Sequence, residues 1–196
     1  VTTTSDASTL TSEILGSGIT LSGAPSYTGA TNASGTFTGG LASGIGIESG
    51  IILTSGDASF APGNDSGGTT GDNQLSGDAD LTTLVGDDTY DATLLEFDFT
   101  STGGDLFFNY VFASEEYNEF VGSEFNDVFA FYLDNVNIAL IPGSGGTPVA
   151  INNVNNGLNS SLYNDNDYDD FFGSPPFNIE YDGFTDVFTA VALGLA

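Results

Sequence analysis

The chain has 196 residues, 27 of them Asp or Glu and none Lys, Arg or His, giving a formal charge of −27 at neutral pH. That balance excludes side-chain salt bridges, a His or Lys base and a cationic oxyanion clamp. It also repels phosphate backbones and anionic lipid, so nucleic acid is not an expected partner and membrane-surface binding loses its electrostatic drive.

Self-repulsion of this size destabilises a compact state unless salt screens it or bound cations neutralise it. With 39% hydrophobic residues the chain can nevertheless build a core. No apolar run is long enough to span a bilayer and the first residues carry no charged and apolar leader, so a soluble chain without direct membrane insertion is expected. The lack of Cys, Met and Trp, and of any Lys or Arg for trypsin-like cleavage, points to an extracellular setting.

Twenty-seven Gly, with many Asn, Asp, Ser and Thr, predict short strands joined by tight turns. Within 1–20, "SEILG" reads as a single helical turn ended by Gly16. "SGAPSYTGATNASGTF" (22–37) reads as an edge strand with its loops, and "GIGIESGIILTSG" (44–56) as a strand, a Gly turn and a second strand. Residues 57–91 are too polar for central strands and too long for an ordinary connection, which marks a functional or mobile insertion.

In "ATLLEFDFT" (92–100), apolar residues alternate with Glu96 and Asp98, predicting a strand with one wet face. "DLFFNYVFA" (105–113) is almost continuously apolar and predicts a strand buried on both sides. "NDVFAFYLD" and "VNIALIP" form a pair turning at Asp134 and Asn135, and "PVAINNVN" gives another strand. "FNIEYDGFTDVFTAVALGLA" (177–196) reads as two strands joined at Asp182 and Gly183. The expectation is one domain over 1–196, all-β, an antiparallel jelly-roll-like β-sandwich of about eight to ten strands with long acidic loops. The apolar "TAVALGLA" predicts that a final C-terminal strand is lacking.

The segment "FASEEYNEFVGSEFNDVFAFYLD" (112–134) sets Glu115, Glu116, Glu119, Glu124 and Asp127 among aromatic and aliphatic residues. Ionised carboxylates against apolar surface cost several kcal/mol each or neutralise by a pKa shift. Without Arg or Lys, a hard cation is the natural partner, and Ca2+ fits best because it accepts six to eight oxygens in flexible geometry. Glu115, Glu116 and Asp127 are the leading ligands, with Glu124 beside them; facing one ion from adjacent Glu115 and Glu116 requires a bulge or turn. The competing reading is a solvated acidic loop.

A second group, "YNDNDYDD", spaces Asp165, Asp167 and Asp169 at alternate positions, on one face if extended. It starts like an EF-hand loop but has Asp170 where Gly is needed and Pro176 where the closing Glu belongs, leaving a weak calcium site or a solvated loop. Asp78, Asp80, Asp87, Asp88 and Asp91 of the insertion offer further ligands from across the fold. "GSGIT" and "GSGG" lack the surroundings of a phosphate loop and read as turns, and the Asn-X-Ser patterns at Asn32, Asn64 and Asn159 read as turn residues. No cofactor other than calcium is implied, and no catalytic residue is assigned.

The stretches "GIGIESGIILTSGD", "GDADL", "TYDATLLEFDF", "GGDLFFNYVFASEEYNEFVGSEFNDVFAFYLD", "NIALIPG", "PVAINNVN" and "IEYDGFT" together resemble the bacterial choice-of-anchor L domain, from about residue 10 to the end. The resemblance implies a secreted, mostly β domain of bacterial surface proteins that end in varied anchors, such as PEP-CTERM tails. Three functions compete: a calcium-stabilised structural module of a surface layer, matrix or filament; a glycan-binding adhesion module using Tyr90, Tyr117, Tyr163, Tyr168 and Tyr181; and a hydrolase working with two carboxylates. The first is preferred, with self-association or other surface and matrix components as partners and strand pairing at an exposed edge as the means of assembly.

Overall fold

The structure, a computed structural model, describes residues 1–66 and 71–195. Strands make up 29% and helices 13%, and the fold is all-β and sandwich-like with no barrel closure. The first half runs β1 (Thr2–Thr3), α1 (Ala7–Ile14), β2 (Ile19–Leu21), β3 (Ser26–Thr28), β4 (Ser34–Thr38), α2 (Gly40–Ser43), β5 (Ser49–Leu53), α3 (Ala79–Val85), β6 (Leu94–Glu96) and β7 (Phe99–Ser101). The second half runs β8 (Leu106–Tyr110), β9 (Ala113–Ser114), β10 (Val128–Phe129), β11 (Tyr132–Leu133), β12 (Val136–Asn137), β13 (Val149–Ala150), β14 (Tyr163–Asp165), β15 (Gly183–Thr185) and β16 (Phe188–Ala192), with two short 3₁₀ turns at Ile151–Asn153 and Ser160–Leu162.

All these pairings are antiparallel. The first half builds β1-β4-β5 and the pairs β2-β7 and β3-β6; the second builds β16-β8, β10-β13, β11-β12 and β14-β15-β9. The sixteen strands among the described residues are shorter and more numerous than expected, because predicted strands split. "ATLLEFDFT" divides at Phe97 and Asp98: β6 pairs with β3, and β7 pairs with β2 once the Asp98 carbonyl has accepted the Ser22 amide at 2.8 Å.

Other local expectations change for identifiable reasons. The single turn expected at "SEILG" is the end of an eight-residue helix, started by Asp6, whose carboxylate accepts the Thr9 amide at 2.8 Å and hydroxyl at 2.6 Å. No strand forms at 44–48: the chain turns there after α2 ends at Ser43, because Gly44 stands at φ 98°, outside strand geometry. The turn at Asp134 and Asn135 forms as read, with φ of 49° and 66°, and joins β11 to β12.

Asp182 and Gly183, in contrast, are no hairpin turn: Gly183 opens β15, the middle strand of β14-β15-β9. The ring of Tyr163 packs where a Cβ at Gly183 would lie, so glycine is needed there for close approach. No turn follows β15: past Asp186 and Val187 the chain continues as β16 along β8, just as β15 runs along β9, with the register shifted by one residue between Phe184–Ala113 and Phe188–Tyr110.

The main core joins Tyr110, Phe112, Tyr117, Ile141, Ile151 and Phe188, with Val149, Val154, Ala139 and Ala190 between them. Tyr110 meets Phe188 edge-on at 5.8 Å, and the buried Tyr117 hydroxyl donates to the Val154 carbonyl at 2.7 Å. Strand β8 sends Phe108 and Tyr110 towards this core but leaves Phe107 64% exposed, so it is not buried on both faces; only β16 pairs with it among the described residues. An open groove of about 2580 Å³ runs between the halves, lined by Phe37, Ile51, Leu53, Leu95, Phe99 and Phe107 among others.

Within 57–91 the acids mostly serve the backbone. Asp78 caps α3, accepting the Asp80 amide at 2.9 Å and the Leu81 amide at 3.1 Å, while Asp91 accepts the amides of Asn73 and Leu75. Asp78→Ala therefore lowers stability by about 1 kcal/mol, the usual worth of such a cap, and leaves calcium affinity unchanged. Thermal melts with calorimetric calcium titration check both halves of that expectation.

Candidate functional site

The β14-β15-β9 sheet gathers acids at one end. In its register Gly183 faces Ser114 on one side and Asp165 on the other. Glu115 follows the last residue of β9 and Asp182 precedes the first of β15, close enough for the Glu115 charge to act on Asp182, and the Asn166 amide donates to the Asp182 carbonyl at 2.8 Å. Strand β9 stops at Ser114, so Glu115 and Glu116 lie in a turn and are freed from the alternation of a strand.

Glu115 is the anomaly. Both of its carboxylate oxygens are buried with no hydrogen-bond partner. Burial, with the charges of Glu180, Asp65, Glu116 and Asp127, pushes its carboxyl up to about 8. Asp182 is driven up to about 10, first by burial, then by the charges of Asp65 and Glu115 and by a hydrogen bond that its protonated form donates to Asp65. Asp65 itself is only 2% exposed and accepts the Tyr168 amide at 2.6 Å.

Beside this group, Ser114 Oγ donates to Asp127 at 2.8 Å and accepts the Glu116 amide at 3.0 Å, linking the two acids through one hydroxyl. Burial and then Asp127 raise the Glu116 carboxyl. Asp127 opens on the groove although protein surrounds it; desolvation raises its carboxyl, and the Ser114 hydrogen bond partly opposes this. Glu124 is exposed, and it is not among the charges that act on Glu115, Glu116 or Asp127.

The alternation expected of Asp165, Asp167 and Asp169 is lost, because β14 ends at Asp165 and the chain folds into successive turns. The Asp167 amide donates to Asp165 at 3.2 Å and the Asp169 amide to Asp167 at 2.8 Å. Asp167 is buried towards Asp182 while Asp169 is exposed. Asn118 supplies the donors that a basic residue would usually bring: its amide bonds Asp165 at 3.2 Å and Asp170 at 3.1 Å, and its oxygen accepts the Tyr163 hydroxyl at 2.8 Å.

Among the described residues no three acids form a ready-made ion cage. The donor set still fits a hard cation: carboxylates on several segments, with both oxygens of one of them, Glu115, buried and without a partner. Asp65, Asp182, Glu180 and Asn118 escape a reading by spacing. Asp182 is hidden by the turn signal of "DG", and Asp65 lies in the polar insertion with nothing in its neighbours to indicate burial. Of the five tyrosines considered for sugar contact, Tyr117 is fully buried and Tyr163 and Tyr181 are partly buried; Tyr90 and Tyr168 are exposed.

The structure is that of an all-β, sandwich-like module that carries an anionic cluster and a wide groove. The chain belongs to the choice-of-anchor L domain family, whose model matches residues 1–193. This family is a class of surface-associated modules, and among the described residues no helix is long and apolar enough to cross a membrane. Comparisons with curated proteins and with solved structures give no match.

Proposed function

We propose that this chain is an extracellular structural module of a bacterial surface, matrix or filament, held together by calcium and self-assembling through strand pairing. The observation that carries the reading is the buried, unpartnered carboxylate of Glu115 in a chain that offers no Lys, Arg or His. A cation from the surroundings is the one partner of opposite charge that such a group can find.

Assembly is supported by the groove and its edges. Its volume of about 2580 Å³ exceeds what a small ligand fills. Strand β5 pairs only with β4, and β8 only with β16, among the described residues, so apolar strands line the groove with one hydrogen-bonding edge each left over. A strand from a second copy would use those edges, and calcium would lower the repulsion between two chains of charge −27.

Light scattering and electron microscopy in chelator and in millimolar Ca2+ test this. Regular particles or filaments in calcium are expected. Monomers in both conditions would overturn assembly, and a melting temperature indifferent to calcium would overturn the stabilising role. Binding to a glycan array that vanishes in chelator would instead favour adhesion, with Tyr90 and Tyr168 as contact residues.

A further inference from the structure

We infer that Glu115, Asp182 and Asp65, with Asp167 and Glu180 beside them, form a single Ca2+ site built from segments far apart in sequence. This rests on the calcium reading above and deepens it by replacing two separate acidic loops with one shared centre.

The backbone register brings the residues together. Pairing of Ser114 with Gly183 at the end of the β9-β15 ladder leaves Glu115 and Asp182 as the next residue of each segment, and pairing of β14 with β15 carries the chain through Asn166 to Asp167 on the other flank. A bridge between Pro62 and Ile179 lays the insertion against the same segment, where the Glu180 amide donates to the Ala61 carbonyl at 3.0 Å. Asp65 then reaches Asp182, and Ser66 Oγ donates to Glu180 at 3.0 Å. Asn166, fully buried, fixes this strip by donating to the carbonyls of Ile179 and Tyr181, both at 3.0 Å.

A cluster of acids alone would be compatible with a solvated patch. The independent observation is Glu115, whose two buried oxygens have no donor and face the negative charges of Glu180 and Asp65. Such an arrangement is poor for a protein alone and suitable for an ion that takes six to eight oxygens from flexible carboxylates. Glu116 and Asp127, joined through Ser114, form a neighbouring pair outside this centre.

The test uses the full chain, Tb3+ luminescence excited through tyrosine, and calorimetric Ca2+ titration. Tyr181 lies between Glu180 and Asp182, and with no Trp present the signal comes from tyrosine alone. Asp182→Asn and Glu115→Gln are expected to weaken Ca2+ binding by about tenfold or more and to quench the Tb3+ signal, whereas Glu116→Gln keeps both. In chelator the same two variants should melt no lower than the parent, since each replaces a carboxyl that the fold desolvates beside other acids with a neutral amide of the same shape; this separates lost binding from lost folding. Binding that survives Asp182→Asn and Glu115→Gln but fails in Glu116→Gln would overturn the shared centre and leave calcium stabilisation standing. A parent chain that takes up neither ion would overturn both.

Discussion

In chelator, the melting temperature of the parent chain falls as pH rises from about 5 to 8, and saturating Ca2+ flattens that slope. The sign follows from the direction in which the two carboxyls move. Glu115 rises from an ordinary 4.5 to about 8 and Asp182 from 3.8 to about 10, so over this range the folded chain binds more protons than the unfolded one. Their favourable contribution is complete below the ordinary carboxylate range and is lost as pH climbs through the folded values.

A tenfold difference in proton affinity between the folded and unfolded chain is worth about 1.4 kcal/mol. Both residues keep part of their surface in contact with solvent, although the Glu115 oxygens do not, so a discounted loss on the order of 2 kcal/mol per group is expected. For a chain of this size that corresponds to a fall of roughly 10 °C across the range. Calcium binds the ionised carboxylates, and in its presence the unfavourable charging is compensated. Melts at pH 5, 6, 7 and 8, with EGTA and with Ca2+, decide the matter. A flat or rising profile in EGTA would show that these acids are not desolvated as described.

Phe188→Ala is expected to cost about 3 to 5 kcal/mol, a large part of the stability of an ordinary domain. Phe188 is 1% exposed, meets Tyr110 edge-on, and lies on the strand that anchors β8 to the core. Removing its ring leaves a cavity that short strands cannot collapse to fill, because each is tied by its own pairing. Phe172→Ala is the control, since Phe172 is 97% exposed and its loss should be nearly silent. Urea unfolding of both variants in saturating Ca2+ makes the comparison; equal midpoints would mean that the core is not where Phe188 lies.

Much of this protein is legible in one dimension. The alternation of "ATLLEFDFT", the glycine-rich turns and the Asp134–Asn135 hairpin specify an all-β chain, because residue spacing and permitted backbone angles are local properties. Charge is local too: a chain without one basic residue must find its compensation elsewhere. Spacing also locates Glu115, Glu116 and Asp127, since five acids among aromatics are unusual wherever the chain puts them.

The partners of those acids are beyond the reach of spacing. Asp182 carries the signal of a turn, yet Gly183 is held inside a sheet by a strand that comes from residues 163–165. Asp65 stands in a polar stretch, and its burial depends on a bridge to Ile179. Asp165, Asp167 and Asp169 share a face only if the strand continues, and whether it continues is decided by hydrogen bonds from their own amides. The sequence by itself determined strands, turns and an unmet need for positive charge, all set by neighbours along the chain. Which carboxylates meet, and which is buried without a donor, was decided by the tertiary structure alone, because desolvation and charge repulsion depend on distances that only the folded chain defines.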